Sequence, residues 1–163
     1  MLEFTLVFMP MLTMILVLMD ISWAVFAKST LEYAVRTGVR TGITITGTQA
    51  AAAGGCLTDV VKAKVQASAL GLLAGSSGLA KIKVHYYLPS GTSAAATDVS
   101  TLSDGNRPLN IMQVTIEGFT LRALVPRIWS WGQSADASAS AIYAGSADLI
   151  EASRDVPCIG TAP

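Results

Sequence analysis

Hydrophobic and polar residues are distributed very unevenly along this chain, and the imbalance is strongest at its beginning. The stretch from Phe4 to Phe26 is 23 residues long, and Asp20 is its single charged residue. A helix needs about 20 apolar residues to cross the hydrocarbon core of a bilayer. The stretch therefore predicts a membrane-spanning helix. Glu3 lies at the tip of this helix, where a carboxylate is costly to remove from water and a spanning helix does not require one.

Two residues inside this stretch interrupt the apolar pattern. Pro10 lacks a backbone N–H donor, so we expect it to kink the helix or to melt it locally. Asp20 lies one to two turns from the far end, beside Trp23, and aromatic residues in this place are typical of a membrane interface. The Asp20 carboxylate is either solvated by headgroups and water or makes a polar contact with a neighbouring subunit.

A different pattern begins at residue 28. Apolar residues now recur at the spacing of one helix face. A second face carries charges at successive i+4 steps: Lys28, Glu32, Arg36 and Arg40. Because Glu32 is placed to pair with both Lys28 and Arg36, we expect the first helix to continue beyond the membrane and to cover residues 2–42.

The rest of the chain predicts an α+β fold class: a long N-terminal hydrophobic helix, a second helix and a three-stranded antiparallel sheet. Apolar residues of segment 58–74 fall largely on one helical stripe. A long loop rich in Ser, Thr, Ala and Gly covers residues 89–108. The strands are expected over residues 81–88, over residues 110–124 with a bulge at Gly118, and over residues 135–145.

Two cysteines, Cys56 and Cys158, bracket the second part of the chain. Their spacing fits neither a C-x-x-C redox motif nor a zinc knuckle. They form either one disulfide in an oxidising compartment or two unpaired buried thiols. A disulfide closing a loop of about 100 residues would stabilise the fold by roughly 4–5 kcal/mol in the chain-entropy model.

The cysteines and the basic residues predict opposite membrane topologies. Basic residues follow the apolar stretch and none precedes it, which by the positive-inside rule puts the later part of the chain in the cytoplasm. Removal of a basic leader reconciles this with a disulfide, in which case the chain is a processed form. We then expect three segments: a transmembrane helix over 1–27, its amphipathic continuation over 28–42, and an exported α+β head domain over 43–163.

Composition narrows the functional classes further. The 11 basic and 11 acidic residues cancel, which argues against a nucleic-acid partner. The phosphate-binding, dinucleotide-binding and nucleophile-elbow glycine motifs are absent from the sequence. The single histidine, His85, falls on the outward face of a predicted strand, where we expect a solvated side chain. We therefore expect no enzyme activity, no metal and no cofactor.

Two clusters leave alternatives open. Oxygen-bearing side chains share one loop and would suit calcium in type but not in spacing, so a simple polar loop is favoured; they are Asp98, Asp104, Asn106 and Asn110. Trp129 and Trp131 lie close together in the second hairpin. Exposed, they would form a surface-contact patch; we favour burial or packing against another subunit.

The N-terminal residues carry a recognisable order. It runs through Leu2-Glu3-Phe4, Pro10, Asp20, Ala27, Leu31-Glu32, Ala34, Arg36, Gly38 and Arg40. This order resembles that of the TadE-like pilins and pseudopilins of the tight-adherence (Tad or Flp) branch of type IV pili. A weaker resemblance continues into the R-P-L…V-T-I-x-G-F-x-L-R run and the Ala/Ser-rich last strand.

The resemblance implies a role for Glu3. Type IV-like prepilins lose a short basic leader to a membrane aspartyl peptidase, and an acidic residue near the new N-terminus then meets the α-amine of a neighbouring subunit. Glu3 takes that place here, with Phe4, Pro10 and Asp20 in the same assembly segment. The alternative is a carboxylate that reaches the headgroups. In the family, the acidic residue lies further from the cut than Glu3 lies from the first residue of this chain. The position of the cut is therefore not carried over.

The resemblance also implies a function. The chain would be a structural pilin subunit for adhesion and surface attachment, either a minor subunit at the tip or at the start of assembly, or a filament former. Its partners would be other pilin subunits, the prepilin peptidase, the inner-membrane assembly platform and the lipid bilayer. It would lie in the bacterial inner membrane before assembly and in the extracellular pilus afterwards. The alternative is a single-pass, membrane-anchored exported binding domain that does not polymerise, which leaves Glu3 unexplained.

Overall fold

The molecule is built around one long helix, α1, which spans Leu2–Thr44. Its 43 residues correspond to about 65 Å at 1.5 Å per residue. The computed structural model describes residues 2–89, 96–122, 139–152, 155 and 158–160, and at residues 2, 3, 5, 122, 139 and 140 it describes the backbone alone. The expected long helix is confirmed. It stays helical through Pro10, so the expected local melting is wrong, because the loss of one backbone donor leaves the neighbouring turns bonded.

Three shorter helices follow among the residues that the structure describes: α2 spans Gly47–Ala52, α3 spans Leu57–Ser68 and α4 spans Gly75–Leu79. The single helix expected over residues 58–74 is therefore wrong. The chain leaves the helix after α3 because Leu70 and Gly71 adopt positive φ angles of 49° and 84°, a conformation that ends helices.

The sheet contains four strands in the described chain: β1 spans Ile82–Leu88, β2 spans Thr97–Asp98, β3 spans Ile111–Arg122 and β4 spans Ala139–Leu149. Their order is β2-β1-β3-β4 and every neighbouring pair is antiparallel. The α+β class is confirmed, and the three-stranded sheet is corrected to four strands. The missed strand, β2, has only two residues, too few to leave an alternating pattern.

The β3–β4 pairing confirms the bulge. The register shifts between Ile116 and Phe119, and Gly118 between them has a φ of 67°, where a side chain would be strained. The last strand spans Ala139–Leu149 and ends four residues beyond the expected end at 145, because a run of small residues marks its own ends poorly. The expected start, residues 135–138, lies outside the described residues.

The core lies between one face of the sheet and the two helices α1 and α3. The second half of α1 contributes a buried stripe that begins at Ala27 and ends at Ile43. Alternate residues of β1 and β3 meet it from the sheet, and the buried face of α3 closes the side. The buried members of these strands and of α3 are Ile82, Val84, Tyr86, Met112, Val114, Ile116, Leu57, Val61 and Val65.

Candidate assembly and anchoring site

The first half of α1 is exposed around its circumference. The exposed large apolar side chains between Phe4 and Phe26 leave 40% to 75% of their surface uncovered. This stretch of 23 residues is about 35 Å long, slightly more than the roughly 30 Å of a bilayer core. By length and composition, α1 contains a helix that could cross a membrane, and this half of the helix is a candidate membrane anchor.

Polar side chains inside this half are satisfied by the helix itself. The Thr13 hydroxyl donates to the carbonyl oxygen of Met9 at 2.8 Å, and the Ser22 hydroxyl donates to that of Leu18 at 2.8 Å. Such internal bonds lower the cost of placing a hydroxyl in lipid. Asp20 is half-buried and sits one turn before the stacked ring pair of Trp23 and Phe26.

The predicted assembly residues lie at the exposed tip of α1. Phe4 is exposed and stacks on Phe8, with ring centroids 5.5 Å apart. Glu3 lies in the first turn of α1, and its side chain falls outside the described atoms. Pro10 continues the helix. The described residues thus hold Phe4, Pro10 and Asp20 on one exposed helix, and the pairing proposed for Glu3 stays a prediction.

The second half of α1 changes from an exposed rod into the spine of the head. Two glycines let it approach its neighbours closely. A methyl group added at Gly38 would overlap Cγ2 of Val65, and one added at Gly42 would lie 2.5 Å from Sδ of Met112. The G-x-x-x-G spacing of Gly38 and Gly42 is a sequence signal for close helix packing that the pattern analysis did not use.

The charged face of α1 points away from this core. Lys28 Nζ and Glu32 Oε1 lie 4.0 Å apart. Arg36 and Arg40 are exposed, and the pairing of Glu32 with Arg36 stays a prediction. An exposed pair of this kind contributes at most about 1 kcal/mol.

A disulfide joins the tail of the chain to the start of α3. Cys56 and Cys158 are bonded, with their Cα atoms 4.9 Å apart. On either side of the bond, the amide of Leu57 donates to the carbonyl oxygen of Cys158 at 2.8 Å, and that of Thr58 donates to Ile159 at 2.9 Å. The tail therefore supplies acceptors for the first amides of α3, which have no partner inside their own helix.

The remaining candidates do not converge on a catalytic or metal site. His85 Nδ1 lies 3.3 Å from Asp98 Oδ2, so the histidine expected to be merely solvated has a carboxylate neighbour. The Ser100 hydroxyl and amide donate to Asp98 and, with His85, hold the pKa of that carboxyl below its usual range. A catalytic triad needs a serine bonded to the histidine, and Ser100 is bonded to the aspartate instead.

In the loop considered for calcium, the candidate ligand residues interact with other protein groups. Asp104 is paired with Arg107, and the Asn110 amide donates to the carbonyl oxygen of Gly105 at 2.8 Å. Among the described residues, no three carboxylate, imidazole or thiol groups lie close enough to hold a metal. Trp129 and Trp131 lie outside the described residues.

The arrangement defines a class of protein by its architecture: an apolar helix that could cross a membrane continues as the spine of an α+β fold. The family model of TadE-like proteins matches residues 1–40, about a quarter of the 163-residue chain. The resemblance drawn from the N-terminal residues is confirmed over that segment, which is similar to TadE-like proteins. Searches of curated proteins and of solved structures gave no match to the chain.

Proposed function

We propose that this chain is a structural pilin subunit of a Tad-type pilus, of the minor kind that occupies the tip or starts assembly, in a pilus that serves adhesion and surface attachment. The exposed apolar half of α1 supports this. Within the described chain, none of the residues in the most apolar part of this helix is buried. A surface of this size needs a cover: lipid before assembly, and the helices of neighbouring subunits afterwards.

The filament core forms as residues 1–27 of successive subunits bundle. A carboxylate that enters such a bundle must find a partner, and the free α-amine of a neighbouring subunit provides one for Glu3. Phe4 and Pro10 lie within two turns of it. Asp20 is solvated at the interface before assembly and contacts a neighbouring subunit afterwards.

The continuity of α1 suits a subunit that must be pulled from a membrane. The same helix carries the exposed stretch up to Phe26 and the buried stripe from Ala27 onward. Force applied to the apolar half therefore passes directly into the head core. The prepilin peptidase and the inner-membrane assembly platform are the partners for processing and extraction, and the head is exported, where its disulfide is stable.

A fractionation experiment tests the proposal. The intact mass and N-terminal sequence of the native protein are measured in sheared extracellular material and in membranes. Recovery of a processed chain in the sheared fraction is the expected result. Recovery in membranes alone would favour a membrane-anchored binding domain that does not polymerise.

The role of Glu3 is tested in the same fractions. Glu3→Ala should leave membrane insertion intact and reduce incorporation into sheared filaments. Glu32→Ala is the matched control, because Glu32 lies on the charged face of the same helix and pairs only weakly with Lys28; it should be incorporated normally. Equal incorporation of both variants would remove the assembly role of Glu3.

A further inference from the structure

An exposed leucine follows the end of α3. Leu70 is 72% exposed and has a φ of 49°. A residue with positive φ just after a helix is usually glycine, because other side chains are strained there, and Gly71 follows immediately. Leu70 therefore costs folding free energy twice, through its backbone conformation and through its exposed apolar surface.

Leu70 lies on the side of the head that faces the apolar half of α1. α3 runs antiparallel to α1, since Val61 lies beside Gly42 and Val65 beside Gly38. The end of α3 consequently points back towards the start of α1. There Leu70 lines a shallow groove with Ser29, Thr30, Tyr33 and Ser68.

The distance along α1 places this groove at the level of lipid headgroups. Phe26 is the last exposed large apolar side chain of the first half of α1. Thr30 follows it by four residues, about 6 Å along the axis. The headgroup layer adds roughly 5–7 Å to each side of the hydrocarbon core, so Thr30 and its neighbour Leu70 fall within it when Phe26 lies at the edge of the core.

We propose that Leu70 and Tyr33 form a membrane-contact surface on the head, occupied by the same lipid bilayer that α1 crosses. The inference rests on the membrane-anchored state of the proposed function. Leu70 enters the headgroup layer, and the Tyr33 ring, also exposed, leans towards that layer from the next turn of α1 with its hydroxyl in water. The contact holds the head in one orientation before the subunit is extracted, and it breaks as the subunit leaves the membrane.

Lipid is the occupant that the connectivity of the chain favours. One leucine would bind a bilayer negligibly by itself, but α1 tethers it within reach, which makes the contact effectively intramolecular. Lys28, whose side chain is 62% exposed, lies within two turns of Tyr33 on α1 and can extend towards lipid phosphates.

The head also supplies a matched comparison. Leu109 likewise has a positive φ, of 71°, and is 55% exposed. It lies at the opposite end of the sheet, where its amide donates to the carbonyl oxygen of Ile150 at 3.1 Å. It shares the strain and the exposure of Leu70 but not the position near the apolar half of α1.

The test uses the full chain with one fluorescent label at a time. Both native cysteines are paired, so Leu70→Cys, Leu109→Cys and Leu18→Cys each add a single free thiol for a nitrobenzoxadiazole label. The labelled proteins are reconstituted into phosphatidylcholine–phosphatidylglycerol vesicles. Quenching is measured with lipids that carry a nitroxide on the headgroup or on the acyl chain, and with aqueous iodide.

We expect the label at position 18 to be quenched by acyl-chain nitroxides. The label at position 70 should lose fluorescence to headgroup nitroxides and be protected from iodide, whereas the label at position 109 should be quenched by iodide alone. Tyr33→Cys gives a second probe of the same surface if Leu70→Cys disturbs the fold, which circular dichroism and an intact native disulfide would reveal.

Each contrary outcome has a separate meaning. A label at position 18 that escapes lipid quenching would overturn the membrane-anchored state and the inference with it. Quenching at 18 together with iodide quenching at 70 and 33 would leave the anchor standing and overturn the membrane contact. Protection from iodide without lipid quenching would assign the surface to contact between copies of this chain and would also overturn it.

Discussion

Replacing Gly38 by alanine should destabilise the junction of α1 and α3, although alanine is the better helix former. The added methyl group would overlap Cγ2 of Val65, a side chain that is fully buried. Carbon atoms in ordinary contact lie about 3.5–4.0 Å apart. Either the two helices must separate or Val65 must leave its position.

The expected magnitude has two opposing parts. Overpacking a core costs about 1–3 kcal/mol, and exchanging glycine for alanine inside a helix contributes about 1 kcal/mol in the other direction. We expect Gly38→Ala to lower the free energy of unfolding by roughly 0–2 kcal/mol, with a central value of about 1 kcal/mol.

A second substitution should reverse the sign. Val65→Ala removes the overlapping methyl group, and the other neighbours, Cγ1 of Val61 and Cβ of Val65, lie 3.7 Å from the new methyl. In the Val65→Ala background, Gly38→Ala should therefore raise the free energy of unfolding by about 1 kcal/mol. The difference between the two backgrounds is a coupling energy of roughly 1–3 kcal/mol, which equals the overpacking cost.

The assay is equilibrium unfolding of the full chain in detergent micelles, followed by circular dichroism for all four members of the cycle. Gly55→Ala serves as the control, because a methyl group there meets its nearest neighbour, Cβ of Asp59, at 3.4 Å; it should be neutral or stabilising by up to about 1 kcal/mol. An equal effect of Gly38→Ala in both backgrounds would refute the close approach of α1 and α3.

Two further predictions concern the head. Replacing Cys56 and Cys158 by serine should lower the free energy of unfolding by roughly 4–5 kcal/mol and speed hydrogen exchange at the amides of Leu57 and Thr58, whose acceptors lie in the tail; unchanged exchange would show that the tail stays docked without the bond. For Asp98, the pKa lies below its usual value of 3.8, so its stabilising contribution is present above that pH and is lost as the pH falls through the lower, folded-state pKa. The stability advantage of the wild type over Asp98→Asn should shrink during acid titration, and parallel curves would contradict the prediction.

Much of the anchoring half could be read from local patterns. The apolar stretch, its length and the charges at i+4 spacing depend on neighbours within a few turns, and α1 accordingly appears almost where the sequence predicts it. β1 and the bulge at Gly118 were predicted for the same reason, since alternation and a lone glycine are local signals. The N-terminal order was also enough to indicate the TadE-like family.

Other features depend on residues that are distant along the chain. The helix expected over 58–74 breaks at Leu70, a residue with good helix propensity, because the chain must turn there to bring β1 under α3. The carboxylate neighbour of His85 comes from β2, and the acceptors for the first amides of α3 come from the tail. Neither segment has a periodic pattern from which these contacts could be predicted.

Local sequence patterns were enough to predict an apolar helix long enough to cross a membrane, its amphipathic continuation and an α+β fold. Hydrophobic periodicity records which residues avoid water, and that is a local property. What each apolar surface faces depends on contacts between elements that are distant along the chain. The fold buries the stripe from Ala27 onward against the sheet and leaves the apolar stretch before it exposed. The antiparallel packing of α3 on the glycines of α1 places Leu70 at the end of the fold that is nearest to that exposed stretch.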